Sequence, residues 1–188
     1  MGKLTVLIGL ARSGKSTFAE NWQQNIPFDN EQPYEFFHKR VVVNSDSIRL
    51  AMHGHRYIRE SEPFVHAMTK VMVKSLFSQG YNVLIDETNT TVGSIRQWLE
   101  IDPDAKFIYL DTSVRVCQER AMATGQNDLV NVIPNMYDNL LDLCNYTLNK
   151  KLCKGEEVYL SMFIDTVNED DLMMSVEDIR EEVKRSKQ

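Results

Sequence analysis

The chain is poor in what would tie it to a metal, a membrane or a broad polyanion. Its three cysteines, Cys117, Cys144 and Cys153, are odd in number and lack metal-ligand spacing. They read as reduced thiols, and a cytoplasmic location is the expectation. No apolar run approaches the length of a membrane span. The N-terminal apolar stretch is too short for a signal peptide. Met1-Gly2 does not begin a myristoylation signal, because Val6 stands where Ser or Thr is required. A net charge of −6 argues against reliance on a wide basic surface for duplex nucleic acid. It leaves room for a local basic pocket that takes a single strand or an end. Repeats, low-complexity tracts and linkers are absent from the sequence. With 188 residues, 43% hydrophobic and 26% charged, one soluble globular domain over residues 1–188 is expected.

What the chain does have is Gly9-Leu10-Ala11-Arg12-Ser13-Gly14-Lys15-Ser16-Thr17, which fits G-x-x-x-x-G-K-[ST]. The context fits as well. Leu4-Thr5-Val6-Leu7-Ile8 precedes it as a buried-strand run, and Phe18, Ala19 and Trp22 mark a helix face after it. A glycine loop between strand and helix lets backbone N–H groups turn around an anion, and the helix N-terminus adds partial positive charge. Gly9, Ala11, Arg12, Ser13, Gly14, Lys15, Ser16 and Thr17 are therefore candidate nucleotide-binding residues. Lys15 is expected at the β- and γ-phosphates of ATP, and the Ser16 hydroxyl on Mg²⁺.

Further along, Ile26 to Lys39 reads as an irregular insert, followed by a strand over Arg40–Asn44 and a capped helix start over Ser45–Met52. His53 to Glu60 reads as a loop. Ser61-Glu62-Pro63 opens a long helix to about Gln79, with Phe64, Met68, Val71, Met72 and Leu76 as its apolar face. A third strand is expected over Asn82–Ile85 and a helix over Val92–Glu100. A fourth strand follows over Lys106–Leu110. Ser113 is placed as the cap of a helix through Thr124, Gly125 to Val130 as a polar break, and Val132 to Lys151 as helix. Residues 113–131 form a lid region on this reading. A fifth strand is placed at Val158–Ile164, and Ser175 to Ser186 as an acidic-to-basic surface helix in a tail over 175–188. Alternating strands and helices predict an α/β fold: a parallel sheet of about five strands covered on both faces.

Ligands in such sheets sit at the carboxyl ends of the strands. That rule selects Asp46 and Arg49 after the second strand, and Asp86, Glu87, Thr88 and Asn89 after the third. Asp86 is placed to hold Mg²⁺ or its water shell, or else to cap a helix. Asp46 can align an attacking hydroxyl and accept its proton, or it caps the helix it begins. Arg49, one turn on, either grips a phosphate of the acceptor or pairs with Asp46. The stretch from His53 to Arg59 contains Arg56 and Tyr57, which suit an acceptor strand, with a solvated loop as the plainer reading.

The phosphate loop, then Asn44-Ser45-Asp46-Ser47-Ile48-Arg49, then Asp86-Glu87-Thr88-Asn89, together resemble the P-loop polynucleotide kinase family. Its members carry N-x-D-x-x-R after the second strand and D-x-T-N after the third. The resemblance covers roughly residues 4–145. It implies a P-loop kinase fold and transfer of the ATP γ-phosphate to a hydroxyl, typically the 5′-OH of DNA or RNA. It implies Asp46 as general base, Arg49 on the acceptor's phosphate and Asp86 as the acidic residue of the third strand. Of the lid arginines of that family, Arg120 matches one, while Thr124 stands near where a second is expected. Lys15, Asp46, Arg49 and Arg120 are thus the candidate catalytic set; Asp46, Arg49, Arg56 and Tyr57 are the candidate acceptor contacts. The D-x-D-G-T of a phosphatase half is missing, since Asp165-Thr166-Val167 does not supply it.

Four functions remain open: a polynucleotide 5′-hydroxyl kinase; a kinase for the base hydroxyl of 5-hydroxymethyluridine in phage DNA (acting in the host cytoplasm); a small-molecule kinase for a nucleoside, sugar or antibiotic; and a non-enzymatic nucleotide switch.

Overall fold

The computed structural model of the protein describes residues 2–24, 40–154 and 166–187. The expected insert at Ile26–Lys39, the strand at Val158–Ile164 and Asp165 lie outside them. Among the described residues the sheet has four strands: β1 (Leu4–Ile8), β2 (Arg40–Val43), β3 (Asn82–Ile85) and β4 (Lys106–Tyr109), in the order β2-β3-β1-β4. The β1–β3 and β2–β3 ladders are parallel, with Leu4 opposite Val83 and Val43 opposite Ile85. The fold is α/β, with a parallel sheet flanked by helices, as the alternation predicts. Every residue of β1 is buried, which is what a continuous apolar run means in a sheet with helical cover.

The chain divides into two compact units. The first comprises residues Met1–Leu7 and Gly14–Glu87. It holds α1 (Lys15–Gln24), α2 (Ser45–His53), a 3₁₀ turn (Arg59–Ser61) and α3 (Glu62–Ser78). Asn44, in extended conformation, caps α2 by accepting from Ser47 N–H, so the strand stops one residue earlier than expected and the cap falls on Asn44. The expected apolar face of α3 is overturned. Phe64, Met68, Val71 and Met72 are exposed, whereas Val65, Thr69, Val73 and Phe77 are buried. The two stripes are neighbours on the helix, one residue apart in sequence. The buried stripe can carry Thr69 into the core because its hydroxyl donates to Val65 O at 2.9 Å and meets the Ser45 hydroxyl at 3.1 Å.

The second unit comprises Ile8–Ser13 and Thr88–Gln188. Its helices are α4 (Val92–Ile101), α5 (Val114–Ala123), α6 (Asn127–Cys144), α7 (Tyr146–Cys153) and α8 (Glu169–Ser186). A capping box joins Thr91 and Ser94 at the start of α4, and Ser113 caps α5 as expected. The polar break after Gly125 is shorter than its composition suggests: α6 already begins at Asn127 and runs through Pro134. Proline cannot donate to Val130 O four residues back. Gln118 Nε2, on α5, donates to that carbonyl at 2.9 Å, so the orphaned acceptor is satisfied and the helix continues. The expected continuous helix from Val132 to Lys151 is instead split at Asn145. The expected surface helix near the C-terminus is also corrected. Asn168 caps α8, which is longer than expected and buries Leu172, Ser175, Val176, Ile179 and Val183. Its acidic first turn and basic last turn complement the helix dipole, while its apolar stripe packs on α4, α6 and α7.

Candidate active site

The phosphate loop has the backbone its motif requires. Gly9 takes φ 155°, and a Cβ there would lie 2.9 Å from Ser13 Oγ and 3.1 Å from Leu110 O. Gly14 takes φ 108°, a region that L side chains avoid. Arg12 adopts φ 67° without being glycine. In the second unit the loop is anchored by Gly9 N–H donating to Thr88 O at 3.0 Å and by the Thr112 hydroxyl donating to Ser13 O at 2.9 Å. Ser13 is buried, and Ala11 is half-buried. Lys15 opens α1 and is itself buried; Ser16 and Thr17 follow, exposed, on its first turn.

In the first unit a cavity of about 600 Å³ brings together residues chosen from three separate motifs. Ser16, Asn44, Asp46 and Asp86 all line it, with Ala19, Ile48, Ala51 and Met72 supplying apolar wall. Asp86 is buried, and Asn44 Nδ2 donates to its carboxylate Oδ2 at 2.8 Å and to its carbonyl at 3.1 Å. One asparagine therefore caps α2 and fixes Asp86, a double role that composition does not reveal, although Asn44 heads the N-x-D-x-x-R motif. Beside it, Glu87 is held by the Ser45 hydroxyl, and burial pushes its carboxyl above the ordinary value while Ser45's hydrogen bond opposes that.

Asp46 is exposed on the first turn of α2 and accepts from Arg49 Nη1 at 2.5 Å. Arg49 is engaged more fully by Glu62: Nε to Oε1 at 2.7 Å and Nη2 to Oε2 at 2.6 Å, a bidentate pair with both side chains 14% exposed. The Glu62 hydrogen bonds raise the guanidinium pKa, and Arg49 in turn holds the Glu62 carboxyl below its ordinary value. Nothing in the sequence marks Glu62, because a first-turn acid beside a proline is what any helix start carries. Arg56 and Tyr57 are exposed and do not line the cavity.

The second unit places a different pair of arginines on the loop. Arg120, on α5, donates to Arg12 O at 3.1 Å, and Arg12 Nη2 donates to the Thr124 hydroxyl at 2.6 Å. Thr124 passes its own proton back to Arg120 O or Ala121 O. Arg115 instead pairs with Glu119 on the exposed side of α5. The D-x-T-N motif ends structurally: Thr88 O accepts from the loop, while Asn89, at φ 48°, accepts from Trp98 Nε1 at 2.8 Å.

Residues 4–136 match the AAA-domain family. The chain belongs to that family. This AAA-domain protein is thus a P-loop nucleotide-binding domain with a kinase-like fold, and the likeness to the polynucleotide kinases drawn from three motifs holds. It is similar to a chain in a structure of the Pnkp1/Rnl/Hen1 RNA repair complex, at 26% identity and TM-score 0.57, covering 79% of this chain and 46% of that one. A second structure of the Pnkp1/Rnl/Hen1 complex matches at 28% identity and TM-score 0.50, covering 63% and 39%. The AAA-domain protein therefore spans less than half the length of these two solved chains. No curated protein matches it. No described helix is long and apolar enough to cross a membrane.

Proposed function

We propose that this protein is an ATP- and Mg²⁺-dependent kinase that transfers the γ-phosphate to a hydroxyl of a nucleic acid, DNA or RNA, as a polynucleotide 5′-hydroxyl kinase does. The observation that carries this reading is the shared cavity: Ser16 of the phosphate loop, Asp46 of N-x-D-x-x-R and Asp86 of D-x-T-N line one space. The donors suit a hard ion that keeps most of its water. Among the described residues no group of three His, Cys, Asp or Glu side chains can hold a metal by itself. A hydroxyl and one buried carboxylate are what a phosphate-borne Mg²⁺ takes from a protein. When bound, Mg²⁺ supplies charge neutralisation at the phosphates. Lys15 adds positive charge there, and Asn44 keeps Asp86 in one rotamer. Asp46 aligns the acceptor hydroxyl and takes its proton as the new O–P bond forms and the bond from the γ-phosphorus to the β-bridging oxygen breaks, releasing ADP. The reading also draws on the likeness to chains of an RNA repair complex.

A second reading has its own support. Each nitrogen of the Arg49 guanidinium already donates to a carboxylate of Glu62 or Asp46. Among the described residues the cavity lining includes Glu20, Asp46 and Asp86 but no lysine or arginine. That surface favours a neutral hydroxyl-bearing group, such as the hydroxymethyl of a modified base, over a phosphate-flanked end. The experiment is incubation with γ-labelled ATP and three acceptors: a 5′-OH oligonucleotide, hydroxymethyluridine-containing DNA, and free nucleosides. Digestion then identifies the labelled nucleotide. Label on the 5′ end supports the leading reading, and label on the base the second. ATP bound with no label on any acceptor leaves a nucleotide switch and overturns both. Within the kinase reading, Asp46→Asn lowers turnover by about 10²–10⁴-fold at unchanged ATP affinity. A variant that loses ATP binding but turns over normally at saturation would reassign Asp46 to the nucleotide.

A further inference from the structure

The arginines of this protein fall into distinct electrostatic settings. Arg49, Arg96, Arg115 and Arg180 each pair with a carboxylate. Arg12 and Arg120 have no carboxylate partner among the described residues, although they share one hydrogen-bonded chain with Thr124. Two unneutralised guanidinium groups tied to one short segment repel each other, in a protein whose net charge is −6. Their placement is also costly in backbone terms, since Arg12 holds φ 67°, where glycine is the undemanding residue. Strain and like charge kept together on an anion-binding loop mark a functional contact rather than a packing solution. Thr124 sharpens the point. It stands four residues beyond Arg120, one turn along α5, and its hydroxyl holds the guanidinium that Arg12 sends across from the loop.

We propose that the Arg12 side chain is a phosphate-contacting residue of the bound nucleotide, a positive clamp supplied by the loop itself and positioned by Thr124, acting together with Arg120. It does from the loop what an arginine at position 124 would do from the lid. The inference deepens the kinase reading and rests on the nucleotide occupying the loop. Arginine suits the task because its planar fork offers parallel donors to two phosphate oxygens, and preorganised cations stabilise charge that spreads over the phosphoryl oxygens during transfer. Thr124 is a positioning residue: it uses one face of the guanidinium and leaves the other donors available.

The test uses the full chain and equilibrium titration with ATP, which requires no acceptor. Arg12→Gly removes the side chain and relieves the backbone. Its thermal midpoint is expected to stay level or rise, while ATP affinity falls by about tenfold or more, the effect of losing a charge-assisted hydrogen bond. Arg12→Gly combined with Thr124→Arg returns a guanidinium to the same place from α5 and is expected to recover most of the lost affinity. A purely structural role for Arg12 predicts no such rescue. ATP affinity of Arg12→Gly within about twofold of the wild type overturns the proposal. So does a loss that Thr124→Arg fails to repair, or a wild type that binds no ATP. If the wild type binds ATP but phosphorylates no acceptor, the kinase reading falls while the titrations still decide the role of Arg12.

Discussion

Arg49 in the first unit and Arg12 in the second offer the clearest contrast in the molecule. Arg49 is neutralised, held bidentately by Glu62 and touched by Asp46, with each nitrogen of its fork donating to a carboxylate. Arg12 is held by a single hydroxyl and carries its charge uncompensated by any carboxylate among the described residues. The first arrangement pairs the charge; the second leaves it unpaired, which is the setting the proposed phosphate contact requires. An arginine near a phosphate site is therefore not one kind of residue. What the guanidinium already holds decides whether it is architecture or machinery, and three substitutions test that division.

The largest effect belongs to the cation that both readings share. Lys15→Ala removes the charge on the phosphates and is expected to cut turnover by at least about a hundredfold, on the scale of one preorganised electrostatic group. Because Lys15 is buried at the start of α1, the midpoint of thermal unfolding is measured alongside. Near-wild-type transfer of labelled phosphate by a folded Lys15→Ala protein would remove the loop from the chemistry altogether.

A smaller effect is expected at Arg49, and it should be one of stability. Arg49→Ala leaves Glu62 charged, mostly buried and without its fork, at a cost of about 1.5–3 kcal/mol. The pH dependence follows from the carboxylate. Arg49 lowers the pKa of Glu62 in the folded protein. A depressed carboxyl contributes stability above its unfolded pKa and loses it as pH falls through the folded one. In denaturant titrations the wild-type advantage over Arg49→Ala should thus be full at neutral pH and shrink on the acid side of the ordinary carboxylate range. An Arg49→Ala protein of wild-type stability that fails only on phosphate-bearing acceptors would restore the acceptor grip that the motif implies, and the contrast with Arg12 would collapse.

The sequence carried the frame of this site further than its side-chain assignments. The strands, the loop and the order of the motifs were legible because apolar runs, glycine spacing and the strand-end rule are local signals. The faces of helices were less so. On α3 Phe64, Met68 and Met72 are larger than Val65, Thr69 and Val73, and the second stripe carries a threonine, yet the second set is buried, with Thr69 meeting the Ser45 hydroxyl. That partner is 24 residues away in the chain. The same distance problem hid Glu62 from Arg49 and Thr124 from Arg12, which lie 13 and 112 residues apart. The start of α6 lies earlier than the sequence suggests because the polar stretch from Gly125 to Val130 reads as a break, while the Gln118 hydrogen bond to Val130 O, from twelve residues away, is invisible to it.

The smallest effect concerns Glu87, a largely desolvated carboxylate next to Asp86. Burial is the largest influence on it and raises its pKa, against the smaller opposing pull of the Ser45 hydroxyl that donates to it, His66 and Arg49. The sign is opposite to that of Glu62. A carboxyl whose folded pKa lies above the unfolded value favours the folded state while protonated, and that contribution is lost as pH rises through the folded pKa. Glu87→Gln keeps an oxygen for Ser45 and has no charge to bury. The variant should match the wild type at pH 4 or below and gain on it as pH rises, by a melting-point difference of about 2–4 °C, what ~1 kcal/mol moves in a domain of this size. Subtracting the two melting curves at each pH cancels Glu62 and every other carboxylate common to both proteins. A difference that is flat with pH would mean that Glu87 titrates alike folded and unfolded. A difference of the reverse sign would mean that the ionised form is the one the fold prefers, as expected of a residue that waits for a cation beside Asp86; Mg²⁺ titration of wild type and Glu87→Gln would then be the measurement to compare.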